Sequence, residues 1–77
     1  MKITLSCVGG SAQYMPGGGQ KIVVDAEDGS TVLDVLASLG IHQDLFMFAL
    51  INGEKADLSR KIGEGDDVVL VSALSGG

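Results

Sequence analysis

From Lys2 to Val8 the chain reads KITLSCV, with apolar Ile3, Leu5 and Cys7 alternating with polar Lys2, Thr4 and Ser6. Successive side chains leave a strand on opposite faces, so a period of two predicts a half-buried strand. A stretch rich in turn residues follows, GGSAQYMPGGG from Gly9 to Gly19, and QKIVVDA, Gln20 to Ala26, is a second β-branched run. The two runs predict a hairpin joined by a long, flexible loop. The period then changes. Within STVLDVLASLG the apolar residues Val32, Val35, Leu36 and Leu39 recur at helical spacing, with Leu33 beside the stripe. Ser30 or Thr31 is placed to cap this helix, Asp34 to return a bond to the Thr31 amide, and Gly40 to take the left-handed position after its end.

FMFALI, Phe46 to Ile51, predicts a third strand, and Asn52-Gly53 after it is the strongest short hairpin signal because both residues accept positive φ. EKA then forms a short return strand. ADLSRKIGEGDD is polar and rich in turn residues, with Leu58 and Ile62 as core plugs under a long connection. Asp67 opens DVVLVSAL, whose near-continuous apolar run predicts a central strand buried on both faces. One helix against one face of a mixed sheet of four to five strands is an α+β architecture. With the last strand parallel to the first in the middle of the sheet, the arrangement is the β-grasp. The expected division is a single domain over residues 1–72 and a flexible tail over residues 73–77, ending Gly-Gly.

Composition narrows the function classes. A chain of 77 residues has room for one domain and a thin core. With 45% apolar and 19% charged residues it is expected to fold on its own. Net charge is −5, and the five cations, Lys2, Lys21, Lys55, Arg60 and Lys61, are scattered. No basic stripe exists to neutralise phosphates, which argues against nucleic acid, and the acidity argues against anionic membranes. A partner with a basic or apolar face fits better. No apolar run reaches membrane-span length and the first residues alternate as a strand does, so the expected location is cytoplasmic.

Candidate chemistry inside the chain is sparse. Cys7, the sole cysteine, cannot form an internal disulfide or a metal cluster, and it shares a face with Met1, Ile3 and Leu5, so it reads as a small buried hydrophobe. PGGG at Pro16 to Gly19 is followed by a strand, whereas a phosphate-cradling loop leads into a helix. His42 has no Cys or His partner at ligand spacing. Asp66-Asp67 and Glu27-Asp28 are adjacent pairs, whose side chains diverge in extended chain, so they read as solvated turn residues. Neither a metal nor a cofactor bound by the chain itself is expected. A four-cysteine iron–sulfur domain is excluded by the cysteine count.

With 12 glycines in the chain, a Gly-Gly pair alone carries little weight; its place a few residues beyond the last predicted strand gives it meaning. MKITL at the start, STVLDVLASLG in the helix, ALINGE in the third strand and IGEGDDVVLVSALSGG to the end together resemble the ubiquitin-like sulfur-carrier family. That family includes the small subunit of molybdopterin synthase and the thiazole-synthesis carrier. One departure is that SALS stands where the molybdopterin subunit usually has a proline-containing segment.

The resemblance implies a carrier without catalytic residues of its own. Its Gly77 carboxylate would be adenylated by an ATP-using, ubiquitin-activating-like enzyme and converted to a thiocarboxylate with sulfur from a donating enzyme. A synthase subunit would then accept the sulfur, with molybdopterin slightly ahead of thiazole and thiamine as the destination. Two alternatives stand beside it: a protein modifier joined through Gly77 to lysines, and a noncovalent β-grasp interaction module. Gly76 and Gly77 lack Cβ atoms and permit close approach in a narrow channel. Ala73, Leu74 and Ser75 bring no charge into such a channel, and Leu74 serves either as an anchor there or as closure of the core. If Val68 and Leu70 face the helix, Val69 and Val71 form an apolar docking patch near the tail, unless Tyr14 and Met15 fold over them.

Overall fold

The elements follow from the expected periods. The structure is a computed structural model and describes residues 1–74; the expectations for Ser75, Gly76 and Gly77 lie outside the described residues. The strands are β1 (Lys2–Val8), β2 (Ile22–Asp25), β3 (Phe46–Ile51), β4 (Glu54–Ala56) and β5 (Asp67–Ser72), with one helix, α1 (Val32–Ser38), between β2 and β3. They form one five-stranded sheet in the order β2-β1-β5-β3-β4. β5 runs parallel to β1, from Thr4 opposite Asp67 to Val8 opposite Val71, and antiparallel to β3. This is the β-grasp, with the last strand in the middle as its apolar run predicts.

Alternation sends Ile3, Leu5 and Cys7 of β1, Val24 of β2, Ala49 and Ile51 of β3, and Val68 and Leu70 of β5 to the face that packs on Val32, Val35 and Leu36 of α1. Ile62 joins this core and Leu58 packs partly against it. Thr31 is the N-cap: its Oγ1 accepts from the Asp34 amide at 3.1 Å, and the Asp34 carboxylate accepts from the Thr31 amide at 2.9 Å. The first helical amides, which have no partner within a helix, are taken up by the long connection. Val32 donates to the Arg60 carbonyl at 3.2 Å and Leu33 to that of Leu58 at 2.9 Å. Asn52 and Gly53 hold φ of 53° and 85°, so both residues of the β3–β4 turn are left-handed, as its hairpin signal requires.

Three expectations are corrected. The apolar stripe of α1 ends before Leu39, which is 36% exposed because the helix stops at Ser38 and the chain turns away at Gly40 with φ 71°. β5 is central but buried on one side only: Val68, Leu70 and Ser72 are buried, whereas Val69 and Val71 are half-buried and lie outside the core cluster. The segment Gly9–Gly19 forms a 3₁₀ turn over Gly10–Tyr14 and a second turn over Pro16–Gly19, in which Gly17 and Gly18 hold left-handed φ of 69° and 71°; Ser11 and Met15 are buried in it. It is built into the fold. A Cβ on Gly19 would lie 2.6 Å from that of Ala12, so the two turns touch only because a glycine stands there.

Candidate functional site

The sheet face opposite α1 carries no helix, and the strand register determines what it presents. Ser6 and Leu50 flank Val69 across β1 and β3, and Val8 and Phe48 flank Val71 in the same way. β4 adds Lys55 beside Leu50, with Lys55 Nζ 4.6 Å from the centre of the Phe48 ring. Val8 is 52% exposed; Phe48, Leu50, Val69 and Val71 are half-buried. These residues make a contiguous apolar surface, since their partners in register are neighbours at strand spacing. Met47, the extra residue of a bulge between Phe46 and Phe48, stands 62% exposed at its margin.

The face is graded along β5. At its start, Asp67 Oδ1 accepts from Thr4 Oγ1 at 2.7 Å and pairs with Lys21 Nζ at 3.0 Å. The hydrogen bond from Thr4, then the one from Lys21, hold the Asp67 carboxyl below the usual carboxylate range. At the other end, where Val71 meets Val8 and Phe48, the surface is apolar and leads to Ala73 and Leu74. A depressed folded-state pKa contributes stability that is complete above the unfolded value and is lost as pH falls through the folded one. The expected result is that Asp67→Asn leaves a protein whose urea midpoint falls less steeply below about pH 4 than the wild type's, while the two curves run parallel near neutrality. A steeper acid limb in the variant would contradict this assignment.

Ala73 and Leu74 leave the sheet at the apolar end. The Ala73 amide donates to the Leu45 carbonyl at 2.8 Å, and Leu74 is 44% exposed and does not close the core. Met15 sits in the core cluster and Tyr14 is 56% exposed, so Met15 does not cover Val69 and Val71. Val69 and Val71 thus share the open face, and Ala73 and Leu74 follow directly on the end of the same strand. Sequence reasoning missed Val8, Phe48 and Leu50. FMFALI is apolar throughout and does not mark its faces; Phe48 and Leu50 alternate outward against Ala49 and Ile51, and the bulge at Met47 brings Phe46 to the buried face instead of the one Phe48 occupies.

The remaining chemistry-bearing side chains stay apart. Cys7 is buried and desolvation pushes its thiol pKa up, which disfavours the nucleophilic thiolate. His42 is exposed in the connection before β3. Asp66 organises its own turn, accepting from the Gly63 amide at 2.7 Å and from Asn52 Nδ2 at 2.9 Å. Among the described residues no three His, Cys, Asp or Glu side chains gather as a metal site. Among the same residues no helix is long and apolar enough to cross a membrane.

Comparison with known proteins adds to this geometry. The profile of the ThiS family matches residues 11–77. No curated protein matches the chain by sequence. Among solved structures it is similar to SAMP1 from Haloferax volcanii, at 25% identity and a TM-score of 0.70, with 100% of each chain covered.

Proposed function

Because the chain belongs to the ThiS family of ubiquitin-like sulfur carriers, we propose that its Gly77 carboxyl group is adenylated and then converted to a thiocarboxylate that donates sulfur in cofactor synthesis. The observation that carries this reading is the family match itself, which runs through Gly76 and Gly77. The graded sheet face supports it, because an apolar docking surface borders the lead-in to those residues.

A free carboxylate is a poor electrophile, so an oxygen must first become part of a leaving group. The Gly77 carboxylate attacks the α-phosphorus of ATP, pyrophosphate departs, and an acyl adenylate forms. Sulfide displaces AMP to give the thiocarboxylate directly. If a persulfide attacks instead, an acyl disulfide forms, and a thiol cleaves it, releasing the thiocarboxylate as that thiol is oxidised to a disulfide. The chain contributes the carboxyl group and its presentation; acid, base and magnesium-bound ATP belong to the activating enzyme. The receiving synthase is ordered as in the resemblance, molybdopterin ahead of thiazole.

Docking through the open face makes a separable demand. Leu50→Lys places a charge in the middle of the patch, beside Val69, and should raise the KM for the carrier in ATP–pyrophosphate exchange by about tenfold or more. The unfolding midpoint should hold within a few degrees, because Leu50 lies outside the core cluster. An unchanged KM would remove this face from the docking surface. Lysine-linked Gly-Gly remnants on other proteins would point instead to the protein-modifier alternative.

A further inference from the structure

The lead-in to the tail is tied to two buried serines. Ser11 is 0% exposed and Ser72 6% exposed. Ser72 Oγ accepts from the Ser11 amide at 2.9 Å and from the Leu74 amide at 2.9 Å. Its own proton faces Ser11 Oγ at 2.7 Å and the Leu74 carbonyl at 3.0 Å. Ser11 Oγ donates to the Leu45 carbonyl at 2.6 Å, the same carbonyl that accepts from the Ala73 amide. Gly9 completes the collar: with φ 100° it lies so close that a Cβ there would stand 2.6 Å from Ser72 Cβ.

A hydroxyl has one proton and two lone pairs, and Ser72 uses all three. Burying it would otherwise carry a desolvation penalty, and an alanine would fill a β position beside Leu45 and Gly9 without any such demand. What the serine does that alanine cannot is bond backbone on both sides, the loop at Ser11 and the departing chain at Leu74. Resting on the sulfur-carrier reading, we propose that Ser72, held by the backbone amide of Ser11, is a positioning residue that keeps Ala73 and Leu74 in a fixed exit path for reaction at Gly77.

The collar limits reach. Three residues beyond Leu74 span at most roughly 11 Å at about 3.3–3.6 Å per residue, so a held Leu74 sets an upper limit on how far the Gly77 carboxyl group can reach from the end of β5. Without the collar, Ala73 and Leu74 would also have to be ordered at the partner, at an entropic cost carried by the reactive complex. Docking through the sheet face would be unaffected, so the loss should appear in kcat.

The test uses the full chain, ATP and the adenylating enzyme of its source, followed by pyrophosphate exchange and by amide hydrogen exchange of the carrier alone. Ser72→Ala should lower kcat roughly tenfold, with KM within about twofold, and speed exchange at the Leu74 and Ser11 amides. A merely structural defect would deplete the folded fraction, raise KM in proportion and leave kcat intact at saturation. Ser11→Ala keeps both bonds that Ser72 Oγ accepts, so it should retain Leu74 protection and most of kcat. Wild-type kcat in Ser72→Ala, or a Leu74 amide unprotected in the wild-type chain, would overturn the proposal; the second outcome needs no variant to fold. Absence of any exchange with the wild-type chain would instead overturn the sulfur-carrier reading on which it rests.

Discussion

Removal of Gly76 and Gly77 should reduce ATP-dependent sulfur loading at least about 100-fold, the scale of loss that follows when a reacting group is misplaced by about an ångström. The unfolding midpoint should stay within a few degrees. The core cluster and the serine collar are assembled within residues 1–74, and every buried side-chain polar atom described has a partner. Truncation would remove the proposed reacting carboxyl and leave Ser75 as the terminal residue, too short by two residues to reach the same point and bearing a side chain on the carbon next to its carboxyl group. Docking should survive, so the truncated chain should compete with the full one for the activating enzyme with similar affinity. A noncovalent interaction module would instead keep its activity after the truncation.

Leu70→Ala should produce the largest loss of stability, about 2–5 kcal/mol. Leu70 is 0% exposed in the central strand, with Cys7 and Ala49 opposite it in register on either side. Neither neighbour is large enough to close the space a leucine leaves. For a domain of this length the whole stability is expected at roughly 4–12 kcal/mol, so the change removes a large part of it and can unfold the protein at 37 °C. Val69→Ala, one residue away on the opposite face, should cost about 1 kcal/mol or less and show its effect in partner affinity. Urea titrations of both variants check the pair. Equal losses at the two positions would contradict the one-sided burial of β5.

The contrast between these neighbours also marks what the sequence discloses. KITLSCV carries its faces in its period, and Thr31, Asp34, Gly40, Asn52 and Gly53 act through local geometry that a linear reading captures. The parallel pairing of β5 with β1 followed from placing the most apolar run in the middle. Burial of β5 on both faces was misread because an apolar side chain says that something covers it, without saying whether the cover belongs to the same chain.

Order in Gly9–Gly19 was missed for a different reason. Its glycines and small polar residues are those of a loose loop, and the bonds that fix it run from Ser11 to Ser72, 61 positions away. No local pattern announces that two serines will meet. Phe48 and Leu50 were hidden in a run that is apolar on both faces, and Leu39 was lost to a helix that ends one residue before it. The outward placement of Val69 and Val71 was legible, while the collar and the flanking members of the patch depend on tertiary register.

The most direct test of the central claim is the intact mass of the full chain isolated together with its own sulfur-transfer machinery. A population heavier by the replacement of one oxygen with sulfur, localised to Gly77 by fragmentation and lost when ATP is withheld, is the predicted result. A chain that shows only the unmodified mass under conditions where its activating enzyme turns over ATP would contradict it.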